Sequence, residues 1–96
     1  MLIKAGVSID RLDHSIRTKL NSMDYELKTY GSELIITSTY EGNHSPGSLH
    51  YQNKAIDIRY PRLKATEYIT FLRNTLGPNY DVIEENDHIH IEFDPK

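Results

Sequence analysis

The stretch SPGSLHYQNKAIDIRYP, residues 45–61, contains an alternating segment from which the fold can be built outward. Because successive residues of a β-strand point to opposite faces of a sheet, one face of this segment carries Ala55, Asp57 and Arg59. The other face carries Ile56, Ile58 and Tyr60. We therefore predict a strand over Lys54–Tyr60 that buries its isoleucines and presents an aspartate on the opposite, open face.

A second alternating segment, HIHIEF at His88–Phe93, has the same character. Its two histidines share one face with Glu92, whereas its isoleucines and its phenylalanine occupy the other. The preceding segment, Tyr80–Glu85, is predicted to be its partner strand, since Asn86 and Asp87 suit a tight hairpin turn between them. Both alternating segments thus turn apolar residues to a core and histidine or aspartate to an open face.

Two further segments have the apolar spacing of helices. Between Ile9 and Tyr30 an apolar residue recurs every three or four positions, with Ser8 or Asp10 as candidate caps at the start and Gly31 at the end. Residues 64–76 form the second predicted helix, which the Gly-Pro pair at 77–78 would end.

The remaining strong pattern is LIITSTY, Leu34–Tyr40, whose β-branched and aromatic residues predict another strand. The order is then helix, strand, strand, helix and hairpin. Two helices covering one face of an antiparallel or mixed sheet make a single small α+β domain over residues 1–96.

Composition narrows the possible functions. The 96 residues suffice for one domain, and the net charge of −3 with mixed signs provides no basic stripe for nucleic acid. No apolar run has the length of a membrane helix. The absence of cysteine excludes disulfides, thiolate zinc sites and cysteine nucleophiles, so a zinc ion would need histidine or carboxylate ligands. We expect a monomer that neither binds nucleic acid nor inserts into a membrane.

The histidines and the aspartate on the open face suggest a metal site. His50 precedes the Asp57 strand at a distance that a short turn can fold back, and the H-x-H pair at 88 and 90 points to the same side. Two imidazoles and one carboxylate suit zinc and leave a fourth position for water, whose pKa zinc lowers toward ~7. Each piece alone is common on solvated surfaces; their placement on one predicted face is the more specific observation. A hydrolase would also need a general base, for which Glu84, Glu85 and Asp87 are near in sequence.

These motifs resemble those of a known family. SLHYQNKAIDIR is similar to the S-x-H-x-x-G-x-A-x-D segment of the zinc-dependent D-Ala-D-Ala carboxypeptidases and endopeptidases, and the closing H-x-H matches as well. Glu41-Gly42 followed by HS and SLHY also resembles the amino-terminal signalling domain of Hedgehog proteins. The resemblance covers Leu34–Phe93 and implies a Hedgehog/DD-peptidase-like fold.

The resemblance implies specific roles for residues of this chain. His50, Asp57 and His90 match the ligands of one zinc ion, and His88 matches a histidine that lines the site and stabilises the oxyanion. Asp87, three residues before the last ligand, matches the base of several of the peptidases, and Glu84 matches the glutamate of the Hedgehog-type domain. We favour Asp87. The residues expected to line the substrate are His44, Ser48 and Arg59.

Two departures from the family pattern affect this reading. The glycine of H-x-x-G is Asn53 here, and asparagine tolerates the positive φ that such a turn requires. The peptidases often have an arginine where this chain has Glu41, so a free D-Ala-D-Ala terminus is less expected as substrate unless Arg59 or a lysine replaces it. In Hedgehog-type domains the corresponding glutamate helps to bind calcium, and the other acidic residues of such a calcium site are not evident in this sequence.

The expected function is a zinc metallopeptidase that hydrolyses an amide bond of peptidoglycan stem peptides or cross-links. The alternative is a non-enzymatic, Hedgehog-like zinc module that binds a partner. The segment MLIKAGVSID does not resemble a signal peptide. By analogy we expect a phage or prophage enzyme that is cytoplasmic until release, or that acts from the virion or at the cell wall.

Overall fold

The computed structural model describes residues 1–40, 47–49, 51–60 and 65–95. They contain five strands and two helices. In chain order these are β1 (Leu2–Ile3), α1 (His14–Thr29), β2 (Ile35–Ser38), β3 (Ala55–Arg59), α2 (Ala65–Leu76), β4 (Tyr80–Glu84) and β5 (His88–Phe93). Within these described ranges, neither helix is both long and apolar enough to cross a bilayer.

The five strands form one mixed sheet in the order β1-β2-β3-β5-β4. β1 pairs with β2 in parallel, whereas every other neighbouring pair is antiparallel. The predicted α+β class with two helices is therefore confirmed, and so is the hairpin of β4 and β5, in which the N–H of Glu85 donates to the carbonyl of His88. The sequence reading missed β1.

The core lies between the helices and one face of the sheet. The apolar face of β3 and β5 is fully buried, as the alternation predicted, through Ile56, Ile58, Ile89 and Ile91. The helices contribute an apolar stripe that packs on these strands and includes Ile16, Leu20, Met23, Leu27, Tyr68, Ile69, Leu72 and Leu76. The opposite face of the sheet carries Asp57, His88, His90 and Glu92, together with Ile83.

The first helix begins later than its apolar spacing predicted. Asp13 is the N-cap, and its carboxylate accepts a hydrogen bond from the backbone N–H of Ser15. Ile9 and Leu12 continue the apolar spacing but precede the helix, so the predicted start and the caps at Ser8 or Asp10 are wrong. The predicted end is correct: Gly31 has φ 76° and its N–H donates to the carbonyl of Lys28.

The turn before β3 contains a residue other than glycine with a positive φ angle. Asn53 has φ 62°, and its carbonyl accepts a hydrogen bond from the N–H of Asp13 at 2.9 Å, which joins the turn to the start of α1. Most residues with a Cβ are strained in this left-handed conformation, and asparagine is among those that adopt it most readily. The expectation that asparagine can hold a positive φ at this position is therefore confirmed.

We expect Asn53→Ala to lower the free energy of unfolding by about 1–2 kcal/mol, the usual cost of left-handed backbone for an ordinary residue. Asn53→Gly should stay close to wild type, because glycine adopts positive φ without strain but has more freedom when unfolded. Urea denaturation measures both, with the exposed neighbour Gln52→Ala as a control. Equal stability of the alanine and glycine variants would contradict the assigned strain.

Candidate metal centre

Strand register places the predicted site on the open face of the sheet. β3 pairs with β5 so that Asp57 lies opposite His90 and Arg59 lies opposite His88. All four side chains therefore point away from the face that carries the buried isoleucines. Two residues of the predicted zinc set, Asp57 and His90, are therefore brought together by the two central antiparallel strands.

The Asp57 carboxylate is the centre of this group. One of its oxygens, Oδ1, is 3.0 Å from Nδ1 of His90, and the other, Oδ2, is 3.8 Å from Nε2 of His88. The residue is only 9% exposed, so its charge is held largely away from water. A buried carboxylate that faces two imidazole nitrogens can hold a proton or a metal cation between itself and each ring.

His90 is hydrogen-bonded at both ring nitrogens. Its Nε2 is 2.7 Å from Oε1 of Glu92, on the side away from Asp57. Burial disfavours the charged imidazole, but the hydrogen bonds to Asp57 and Glu92 outweigh burial, so the pKa of His90 is raised above its usual value. The pocket around His90 thus stabilises positive charge, which is what a cation site requires.

His88 is the more exposed member of the histidine pair and has an acidic partner of its own. Its Nδ1 is 2.7 Å from Oδ1 of Asp87, so its two ring nitrogens face two carboxylates, Asp87 and the more distant Asp57. The Asp87 side chain is 90% exposed. The hydrogen bond to His88 lowers the pKa of Asp87 and keeps this carboxylate ionised.

Glu84, the second acid considered as a general base, lies on the wrong face. It pairs with Ile89, whose side chain is in the core, and so it has the parity opposite to His90. Burial and a hydrogen bond to Glu84 raise the pKa of Tyr60 to about 12. Because Glu84 points away from Asp57 and contacts Tyr60, its expected role as base does not fit the strand geometry.

The remaining residues singled out by the sequence lie partly outside the described part of the chain. His50, the third predicted zinc ligand, and His44, predicted to line the substrate, both lie outside the described residues, as does Glu41. Ser48 is described through its backbone carbonyl, which accepts a hydrogen bond from the N–H of Tyr51 in the turn before β3. Arg59 is exposed on the open face beside His88.

A group of three carboxylates was missed by the sequence reading. Ligand oxygens of Asp81, Glu92 and Asp94 all lie within 4.8 Å of one another, an arrangement that could hold a metal ion. Asp81 lies directly opposite Glu92 across the hairpin. The signal was present in the sequence, because a two-residue turn at 86–87 fixes the hairpin register and hence this pairing.

Comparisons with protein-family models, with curated proteins and with solved structures found no match to this chain. The chemistry of the site must therefore be judged from its donor atoms. Among the described residues, the carboxylates of Asp81, Glu92 and Asp94 could together hold a metal ion. His90 and Asp57 add an imidazole and a further carboxylate beside Glu92.

Proposed function

We propose that the protein is a zinc-dependent metallopeptidase that hydrolyses an amide bond of peptidoglycan stem peptides or cross-links. One observation supports this most directly: the buried carboxylate of Asp57 faces imidazole nitrogens of both His88 and His90 on the open face. The motif resemblance supplies the reaction and the substrate class, and it adds His50 as the third ligand. A Hedgehog/DD-peptidase-like fold is part of the same proposal.

The described residues fit a zinc ion by donor type and spacing. Ligands about 2.0–2.1 Å from a tetrahedral zinc ion are about 3.3 Å from one another. The separation of 3.0 Å between Oδ1 of Asp57 and Nδ1 of His90, the two described ligands of this proposal, is close to this value. Asp57 and His90 would hold the ion together with His50. When bound, zinc would activate a water molecule and polarise the scissile carbonyl.

The residues around the ligands have distinct roles in this proposal. His88 holds its Nε2 toward Asp57 and its Nδ1 against Asp87. As an imidazolium oriented by Asp87, it would donate a hydrogen bond from Nε2 to the developing oxyanion. Asp87 remains the proposed base. Arg59, across from His88, is suited to bind a carboxylate of the substrate.

The position of the acids also supports a second candidate, a Hedgehog-like module that binds zinc without catalysis. Glu84 faces away from Asp57, and Asp87 is largely in water with its hydrogen bond to the outer nitrogen of His88. Neither acid predicted as the base contacts Asp57 or His90 among the contacts that the structure gives. In this candidate the zinc would stabilise a partner-binding face.

Variants of Asp87 and His88, with a variant of Glu84 as the control, separate these functions. We expect Asp87→Ala and His88→Ala to lower kcat by about 100- to 10,000-fold while zinc stays bound, since they remove proton transfer or oxyanion stabilisation. Glu84→Ala is the matched control, because it removes an acidic side chain from the other face of the sheet. This variant should cleave at the wild-type rate. The measurement is digestion of defined muropeptides with products identified by mass.

The outcomes of this experiment discriminate clearly. Wild-type rates for both Asp87→Ala and His88→Ala would contradict the assigned mechanism. A zinc-loaded wild type that cleaves no peptidoglycan would favour the binding module. Protein purified without chelator that contains no zinc, and whose melting temperature does not rise on adding it, would exclude both candidates.

A further inference from the structure

We infer that Glu92 is a positioning residue for His90: it fixes the imidazole so that Nδ1, rather than Nε2, is the metal-binding nitrogen. This inference rests on the proposed metal site and goes beyond it. The supporting contact is the 2.7 Å hydrogen bond between Nε2 of His90 and Oε1 of Glu92, on side chains that are 14% and 18% exposed. Such a partly buried, charge-assisted bond restrains the ring strongly.

The two nitrogens of His90 cannot play the same part. In a neutral imidazole one nitrogen carries the proton and the other offers a lone pair. Glu92 can only accept a hydrogen bond when ionised, so it selects the form in which Nε2 is protonated. The lone pair is then on Nδ1, which faces Oδ1 of Asp57 at 3.0 Å. A carboxylate oxygen and a ring nitrogen lie this close when a proton or a metal cation is held between them, and a bound metal would take the place of that proton.

The hydrogen bond therefore prepares the geometry that a metal needs. Histidine ligands usually donate their other N–H to a carboxylate or carbonyl, which fixes the ring and makes the ligating nitrogen more basic. Glu92 lies two residues along the same strand as His90, so both side chains emerge from one face of β5 without any loop between them. The backbone of β5 therefore fixes the position of Glu92 relative to the imidazole of His90.

The neighbouring acids strengthen this effect. Glu92 has oxygens within 4.8 Å of those of Asp81 and Asp94. Mutual repulsion of the three charges favours any arrangement that brings positive charge close to them. The Nε2–H of His90 and a metal ion on the far side of the ring supply such charge.

The test compares Glu92→Ala and Glu92→Gln with Asp94→Asn, which removes one negative charge from the same group of carboxylates on an exposed side chain. Zinc dissociation constants are measured by competition with a chromogenic chelator. We expect Glu92→Ala to weaken zinc binding by about 10- to 100-fold, the usual effect of losing a partner of a ligating histidine. Glu92→Gln, which keeps an acceptor oxygen without the charge, should weaken binding less, and Asp94→Asn least.

A spectroscopic readout separates positioning from general charge. The Co²⁺-substituted wild type gives a ligand-field spectrum that depends on the geometry of its histidine ligands. We expect this spectrum to change in Glu92→Ala and to stay that of wild type in Asp94→Asn. Circular dichroism and melting of the metal-free variants check that each is folded, and the glutamine variant preserves the side-chain volume.

Each alternative outcome has a clear meaning. Wild-type affinity and spectrum in both Glu92 variants would overturn the inference while leaving the metal site intact. Equal weakening in Glu92→Gln and Asp94→Asn with unchanged spectra would show a charge effect and overturn it too. A loss in Glu92→Ala as large as that of His90→Ala would make Glu92 a ligand instead. A wild type that binds neither Zn²⁺ nor Co²⁺ would remove the proposed function itself.

Discussion

Replacing His90 with alanine is expected to weaken zinc binding at the proposed site by more than about 100-fold, because losing a proposed ligand costs more than the roughly 10- to 100-fold loss typical of an outer partner. The side chain provides Nδ1 to the space beside Asp57 and anchors the ring through Glu92. Without it, Asp57 loses one of its two imidazole neighbours and the H-x-H motif loses its better buried member. Under the proposed function, hydrolysis of peptidoglycan should fall with metal occupancy.

Thermal denaturation gives an independent measure of the same loss. At a zinc concentration 100 times the wild-type Kd, binding stabilises the native wild type by about 2.7 kcal/mol, whereas a variant weakened 100-fold gains less than about 0.5 kcal/mol. His14→Ala is the matched control, since this histidine is exposed at the first turn of α1 in the helical layer. If His90→Ala keeps the wild-type gain in melting temperature, zinc binds elsewhere in the protein.

The part of this site that could be predicted from the sequence followed from strand parity. Alternation in KAIDIRY and HIHIEF placed Asp57 and His90 on one face, and the sheet register brings them opposite each other. Nearness in sequence groups Glu84 with the histidines, but strand parity separates them. In β4, Glu84 shares its face with Val82 and points in the direction of the core.

Other features lay beyond what local patterns can show. β1 has two residues, Leu2 and Ile3, and both are substantially exposed, so neither alternation nor burial marks it as a strand. Its parallel pairing with β2 depends on contacts between segments more than 30 residues apart. The late start of α1 has a related cause. Leu12 is buried in the core although it precedes the helix, and it lies four residues before Ile16, which is the spacing of a helical turn.

A substitution on the buried face of the same strand is expected to have the largest effect on stability. Ile91 is fully buried and lies between Ile56 on β3 and Val82 on β4. Ile91→Ala should lower the free energy of unfolding by about 2–5 kcal/mol, through lost burial and the cavity that remains. Domains of this kind have about 5–15 kcal/mol in total, so urea denaturation should show a much earlier transition.

Ile83→Ala is the matched control, because it removes the same atoms from the adjacent strand at a position that pairs with His90 on the open face. Ile83 is 42% exposed, and we expect its loss to change stability by no more than about 0.5 kcal/mol. Similar losses for both variants would contradict the assignment of the two faces.

Ile91→Ala also tests whether the proposed metal site depends on the packing of the core beneath it. His90 and Ile91 are consecutive, so their side chains lie on opposite sides of β5. The imidazole of His90 is held on the open face by hydrogen bonds to Asp57 and Glu92. Ile91→Ala should therefore retain the zinc-induced gain in melting temperature, although it starts from a lower value. A gain as small as that of His90→Ala would mean that the cavity shifts the backbone of β5 enough to separate His90 from Asp57. The distance between His90 and Asp57 would then depend on the packing of the isoleucines as well as on the hydrogen bonds of the open face.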